Sequence, residues 1–569
     1  MTKLSELGYL LLSVLEMMRK PSFFETKSIL FWGVALFVAV LALVFCWRFR
    51  YAVFAGDMGV KYLQALTFQS GPLELDYPAK KFDPLGQAFP FEPPVVFHSP
   101  KGWISVWLNP MVLFLVPLFD RVFGWAGYLM APFLGGLLSV YGLRFLGREL
   151  HLPSPNVVAP LVWLLTPLLF YSLILWEHTL AVGCGLMAVA GLLHSLRQRE
   201  TPHRAGFWLG ASALFRAEAA LFAGLLCMAV WWSRKKHVTL KSMVVWGIST
   251  LSLPLLWGWL VSWMARVPTT AQVTFPYQSP FSPWSGHEWG AHLTKILQTL
   301  VEPFQDAPMG TLEWGSIVPL AILLGLFLSQ PFQRFRWVGV SVLFIAGVAL
   351  ASLQLTTEKV FFAGILTACP ALGVTPFLRR RPQTKTLIWA WALGLFLLAV
   401  IAPNNGGLQR GCRYLLLPCV FGVFLVLSEW LRMNRAWKWT VGVILLLGLA
   451  IQIQGVTVLW NHKESKEVAL ERMVESKPDF VLTSVWYFPQ EAGRIYSKVP
   501  ILWARTDPQV HAILMQTESI QPKPDFFLAV LPAASANEGN FHLPNWDANR
   551  NGEFGGLPIF EFHRTGSTN

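Results

Sequence analysis

Charged residues are scarce in this chain of 569 residues. They make up 14% of the sequence, whereas a typical soluble protein carries about 25%. Acidic residues are scarcer than basic residues, with 32 Asp and Glu against 45 Lys and Arg. Hydrophobic residues make up 54% of the chain, and its mean hydropathy is +0.47. This balance excludes an ordinary soluble globular protein and indicates a membrane protein.

Cysteine is also sparse, with six residues that all lie in or beside apolar runs. There is no Cys-x-x-Cys pair and no Cys/His ligand spacing, which excludes a zinc site or a disulfide framework as the organising feature. The formal net charge is +13. The basic residues fall in short clusters between apolar runs, a pattern that orients membrane proteins, so we expect no nucleic acid partner.

Long apolar runs are abundant. A spanning helix needs about 20 apolar residues, and its backbone must be hydrogen-bonded internally. About thirteen runs meet or approach this length, which predicts a polytopic α-helical membrane protein. They are 29–48, 125–147, 155–175, 179–196, 206–216, 218–233, 240–264, 314–330, 336–353, 359–377, 386–402, 412–431 and 438–460. The two short runs, 206–216 and 218–233, read as one broken pair. Residues 97–124 are apolar but rich in proline, and we predict interfacial helices there.

Basic loops give the orientation. If residues 1–28 form an amphipathic helix on the cytoplasmic surface, every alternate loop is basic, as in Arg379, Arg380 and Arg381. The sequence therefore predicts a multi-pass inner (plasma) membrane protein with a cytoplasmic N-terminus. Residues 29–460 form its transmembrane domain, with outer loops at 49–124 and 265–313.

The composition becomes polar after residue 461. Short strand-like and helix-like segments alternate there, which predicts a small α/β domain with a mostly parallel sheet over 461–569. The alternation of loops places this domain on the periplasmic or extracellular side.

Asp57 is the first candidate for catalysis. It lies between Gly56 and Gly59 just after the first apolar run, where a carboxylate could accept a proton from a substrate hydroxyl. The alternative is a carboxylate that caps the helix starting at Met58. Lys61 and Tyr62 follow in the same stretch and are candidate substrate-binding residues, as is His98 further along this loop.

Other polar groups fall at the ends of later runs. Glu177 and His178 are candidate catalytic residues, and the alternative is an acid placed favourably at a helix N-terminus. Three arginines are candidates for binding a donor phosphate through paired hydrogen bonds. These are Arg216, Arg410 and Arg413, and Glu218 beside the first is a candidate substrate-binding residue. An internal Arg216–Glu218 pair, and late arginines that reach toward lipid headgroups, are the alternatives.

An acid combined with cationic groups suits attack of a hydroxyl on a sugar carbon while a lipid phosphate leaves. The chain also resembles the GT-C superfamily of membrane glycosyltransferases, including relatives of the protein O-mannosyltransferases and the aminoarabinose transferase. Gly56-Asp57 is similar to the acidic position of the first outer loop in that family. The segment from Gly411 to Pro418 resembles its late G-x-R-Y-L-L-x-P signature. Many members carry a second acid after the first, whereas Met58 stands there in this chain.

The resemblance implies a GT-C bundle and an inverting transfer from a polyprenyl-phosphate-linked sugar. A glycan, lipid or protein would be the acceptor, and membrane lipid would surround the protein. The sequence predicts no cofactor with certainty and leaves a divalent cation open. The alternatives are a polytopic transporter or flippase, and a polysaccharide polymerase or ligase. Transporters often contain internal repeats, and no clear repeat is present here.

Overall fold

Seven helices in the described part of the chain are long and apolar enough to cross a membrane. The computed structural model describes residues 29–92, 95–234, 239–266, 296–300, 364–378, 382–401, 413–518, 520, 523–532 and 546–565. The prediction of a polytopic helical membrane protein is confirmed. The predicted N-terminal helix, the runs 314–330 and 336–353, and most of the 265–313 loop lie outside the described residues.

The helices in chain order are α1 Ile29–Arg48, α2 Gly56–Gln69, α3 Val116–Phe123, α4 Met130–Glu149, α5 Pro155–Leu165, α6 Leu168–Tyr171, α7 His178–Gln198, α8 His203–Phe215, α9 Ala217–Ser233, α10 Leu240–Ala265, α11 Ile365–Ala368, α12 Pro382–Ile401, α13 Leu416–Trp430, α14 Arg435–Ser476, α15 Phe488–Glu491 and α16 Asp507–Glu518. The strands are β1 Val96–Ser99, β2 Gly102–Ser105, β3 Phe480–Thr483, β4 Ile501–Trp503, β5 Phe526–Val530, β6 Trp546–Phe554 and β7 Leu557–Arg564.

Small residues let helices α4 and α7 pack closely. A side chain on Gly135 would overlap the backbone at Thr179, and one on Gly183 would overlap Leu138. Close packing through small residues is a common means of helix association in membranes. It fixes the N-terminal end of α7 against α4, and this end carries Glu177 and His178.

Two helical predictions before residue 200 need correction. Residues 97–105 belong to an antiparallel hairpin of β1 and β2, and helical structure begins only at Met111. The run 155–175 is divided, because Thr166 is extended with φ −129° and ψ 162°. Pro167 explains this break, since a proline disfavours the helical conformation of the residue before it.

Two later predictions also need correction. In the run 359–377, the described residues form the four-residue helix α11 and the 3₁₀ helix Pro370–Phe377 rather than one span. The predicted C-terminal domain does not begin as a separate unit at 461, because its first residues, through Ser476, continue α14, which runs unbroken for 42 residues. The change in composition near residue 461 therefore falls inside one helix, because nothing in that stretch interrupts helical hydrogen bonding.

The C-terminal region contains a five-stranded sheet in the order β4-β3-β5-β7-β6. Strands β3, β4 and β5 are parallel, as predicted, but β5–β7 and β6–β7 are antiparallel. The sheet is therefore mixed rather than mostly parallel. The β6–β7 hairpin turns at Gly555 and Gly556, which both have positive φ and form a two-residue turn typical of hairpins. The prediction overlooked this glycine pair.

Helix α2 packs directly against the C-terminal region. A Cβ atom on Gly59 would overlap the carbonyl oxygen of Gln490, and one on Gly493 would overlap the backbone of Gly59. Only glycine at both positions allows the two backbones to approach this closely. The helix that carries Asp57 is thus in contact with α15 and the turn that follows it.

We predict that Gly59→Ala destabilises the protein by more than about 2 kcal/mol, because the added methyl group cannot fit without a backbone shift. Thermal unfolding of the detergent-purified protein measures the effect. Gly33→Ala is the matched control, since Gly33 is also helical and no atom lies within 4 Å of its added Cβ. Equal melting temperatures for Gly59→Ala and wild type would contradict the prediction.

Candidate functional site: a buried charged cluster

Asp57 lies in the first turn of α2, where an acidic side chain interacts favourably with the helix dipole. Its Oδ1 accepts a hydrogen bond from Trp176 Nε1 at 3.0 Å. Its Oδ2 lies 3.3 Å from Lys61 Nζ, one helical turn further along α2. The Asp57 side chain is 19% exposed, so it is not sealed from its surroundings. Ala55 is the N-cap of this helix, so the alternative interpretation of Asp57 as the capping carboxylate is wrong.

Glu177 is the buried centre of the site. It precedes α7, and its side chain is 1% exposed. Glu177 Oε2 lies 2.8 Å from Lys61 Nζ, and Oε1 lies 3.3 Å from an Arg216 guanidinium nitrogen. Burial alone would raise the pKa of Glu177, but Lys61 and Arg216 outweigh it and hold the pKa below its usual value. The carboxylate is therefore ionised at neutral pH.

Arg216 occupies the break between α8 and α9, as the sequence predicted. Its backbone is extended, with φ −154° and ψ 119°. Arg216 Nε donates to Glu218 Oε1 at 2.7 Å, while the same guanidinium reaches Glu177. The predicted local pair with Glu218 is therefore present, and Arg216 also connects it to Glu177.

Arg413 joins the same site from the start of the segment Arg413–Trp430. Its guanidinium carbon lies 5.3 Å from the centroids of both the Trp176 and Tyr414 rings. Trp176 thus contacts Asp57 through its ring nitrogen and Arg413 through its ring face. Asp57 and Arg413 are consequently close to each other, on either side of Trp176. We name Asp57, Lys61, Glu177, Arg216, Glu218 and Arg413 the charged cluster.

His178 is buried beside this cluster. Its ring packs against Tyr171 and Trp176, with centroid distances of 5.5 and 5.4 Å. Neither ring nitrogen has a hydrogen-bond partner among the described residues. The imidazole is 3% exposed, so it has little direct access to solvent.

Two other predicted residues, Tyr62 and His98, lie away from this cluster. Tyr62 donates from its hydroxyl to Asp120 at 3.0 Å and lies under the Arg494 guanidinium. Its pKa is raised by burial, so the phenol stays protonated. His98 is exposed on the β1–β2 hairpin, where its ring meets Trp103 edge-on. Arg410 lies outside the described residues.

No protein-family model and no curated protein sequence matches the chain. Among solved structures, the chain is similar to ArnT from Cupriavidus metallidurans bound to undecaprenyl phosphate, at 12% identity and a TM-score of 0.48. This match covers 93% of this chain and 98% of that one. It is also similar to an oligosaccharyltransferase from Archaeoglobus fulgidus in complex with Zn and sulfate, at 14% identity and a TM-score of 0.44. That match covers 88% of this chain and 68% of the other.

Both of these proteins are members of the GT-C superfamily, which the sequence motifs resemble. At these identities and TM-scores the likeness assigns no role to any side chain of this protein.

Glu467, on α14, contributes to the site although the sequence analysis did not single it out. Its fully buried carboxylate accepts hydrogen bonds from three successive backbone N–H groups. The distances are 2.6 Å from Arg50, 3.0 Å from Tyr51 and 2.6 Å from Ala52. This contact fixes the segment that leads into α2 and hence to Asp57. In the sequence, Glu467 is one of several charged residues that follow an apolar run. That pattern does not show which backbone groups its carboxylate will bind.

We predict that Glu467→Gln lowers stability by about 2 kcal/mol or more, because an amide N–H₂ would face backbone donors that then lose their acceptor. The measurement is the thermal unfolding midpoint of the detergent-purified protein. Glu464→Gln is the matched control on the same helix, since Glu464 is 46% exposed and pairs with Arg48 at the surface. If both variants unfold at the same temperature, the Glu467 contact has no structural role.

Proposed function

We propose that this protein is a membrane glycosyltransferase that moves a sugar from a polyprenyl-phosphate donor to an acceptor hydroxyl. The observation that carries the proposal is the meeting of Asp57 and Arg413 on opposite parts of one indole, Trp176. The carboxylate of Asp57 can accept a proton, and the guanidinium of Arg413 can bind a phosphate group. Sugar transfer from a lipid phosphate requires both groups in one site.

In the proposed reaction, Asp57 takes the proton from the acceptor hydroxyl as its oxygen attacks the anomeric carbon. The bond between that carbon and the phosphate oxygen breaks, and the lipid phosphate leaves with the negative charge. The partial exposure of Asp57 supports this role, because a base must reach its substrate. Glu177 is sealed between Lys61 and Arg216, which supports a role in holding these cations instead.

Arg413 is proposed to bind the leaving phosphate. A guanidinium forms paired hydrogen bonds to phosphate oxygens, and its planar face stacks on aromatic rings. Trp176 and Tyr414 supply such faces here. Arg216 is proposed to add positive potential, although Glu177 and Glu218 share its charge. We propose that the site opens to the extracytoplasmic side, as the basic loops predict.

We predict that Asp57→Asn lowers sugar transfer by at least about 100-fold, because an amide cannot accept the proton. The assay follows release of undecaprenyl phosphate from a panel of undecaprenyl-phosphate-linked sugars offered with envelope lipids and glycans. Undecaprenyl phosphate binding should be retained, which separates a chemical defect from misfolding. Normal transfer by this variant would remove Asp57 as the base, and wild-type binding without turnover on the whole panel would favour a transporter.

We predict that Arg413→Ala weakens undecaprenyl phosphate binding roughly 10-fold or more, since a hydrogen bond to a charged group is lost. Native mass spectrometry or a ligand-dependent thermal shift measures the affinity. Arg432→Ala is the matched control, because Arg432 lies just beyond the other end of the same helix and pairs with Glu429. Equal affinities for the two variants would leave Arg413 without a role in phosphate binding.

A further inference from the structure

The ammonium group of Lys61 occupies the point at which two carboxylates meet. Its Nζ lies 3.3 Å from Asp57 Oδ2 and 2.8 Å from Glu177 Oε2. The Lys61 side chain is 1% exposed. It also lies over the Trp107 ring, with Nζ 5.1 Å from the centroid. The cation is therefore held by groups of α2, of the segment that follows β2 and of the residue that precedes α7.

Two carboxylates that face a common point are the ligands a divalent cation prefers. In this chain the point is filled by Nζ, so the residues present do not fit a metal ion between Asp57 and Glu177. Within the described ranges, no group of three or more His, Cys, Asp or Glu side chains is placed to hold a metal.

The six named members of the charged cluster carry equal numbers of opposite charges. Asp57, Glu177 and Glu218 supply three negative charges, and Lys61, Arg216 and Arg413 supply three positive ones. A divalent cation between Asp57 and Glu177 would bring two positive charges next to Lys61 and Arg216, which already contact Glu177. Uncompensated charge is costly where water is excluded.

We propose that Lys61 is a built-in cation that takes the place of a divalent metal ion between Asp57 and Glu177. The ammonium holds Asp57 in position and offsets the charge of both carboxylates, so the site works without a divalent cation. The part of this proposal that concerns catalysis rests on the proposed function. The part that concerns cation binding is independent of it and is tested without any sugar substrate.

The experiment titrates the full-length, detergent-purified protein with Mn²⁺ and measures bound ion by electron paramagnetic resonance. We expect wild type and Asp57→Asn to bind equally little Mn²⁺, because Lys61 occupies the position. Lys61→Ala removes the ammonium and leaves room, so it should gain one bound Mn²⁺ with a dissociation constant on the order of 10⁻⁴ M. The double variant Lys61→Ala/Asp57→Asn should lose this ion again.

Two further variants distinguish the space that the Lys61 side chain fills from the positive charge that it carries. Lys61→Met keeps an unbranched side chain that fills the gap, and Lys61→Arg keeps the positive charge, so neither should gain the Mn²⁺ site. Bound Mn²⁺ in wild type that Asp57→Asn removes would overturn the proposal. This comparison remains decisive if Lys61→Ala fails to fold. A folded Lys61→Ala protein that gains no Mn²⁺ would overturn the proposal as well, whatever the transfer assay shows.

Discussion

Ionised groups in a water-poor interior must be paired, since each charge left alone there costs several kcal/mol. In the charged cluster, a chain of contacts meets that requirement. Asp57 touches Lys61, Lys61 touches Glu177, Glu177 touches Arg216, and Arg216 touches Glu218. Removing one member would leave its neighbours with fewer partners of opposite charge. The chain of ion pairs therefore constrains how α2, α7 and the α8–α9 break are placed relative to each other.

The C-terminal region takes part in the same constraint. Helix α14 runs from the apolar core to the five-stranded sheet, and its Glu467 fixes the segment before α2. The turn after α15 packs directly on Gly59. The composition of this polar region suggested a separate domain. In the structure, the region contacts the helix that carries Asp57 and helps to hold it in place. Changes in the sheet region would reach the charged cluster through α2.

Hydropathy was a good guide to the helices where local sequence decides the structure. The runs at 29–48, 179–196 and 240–264 closely match α1, α7 and α10, because length and apolar content suffice to define a spanning helix. Hydropathy failed where backbone chemistry overrides it, as at Thr166 before Pro167, and in the β1–β2 hairpin. It also could not reveal that α14 continues past its apolar part, since helical hydrogen bonding does not depend on polarity.

The sequence alone determined the membrane class, the break at Arg216, and the residue types available for acid–base and phosphate chemistry. It could not determine which of them meet, because Asp57, Glu177 and Arg413 are far apart in the chain. The tertiary structure brought these three around Trp176 and took Tyr62 and His98 elsewhere. It also placed Lys61 between two carboxylates, a relation that depends on helix packing and leaves no trace in local sequence patterns.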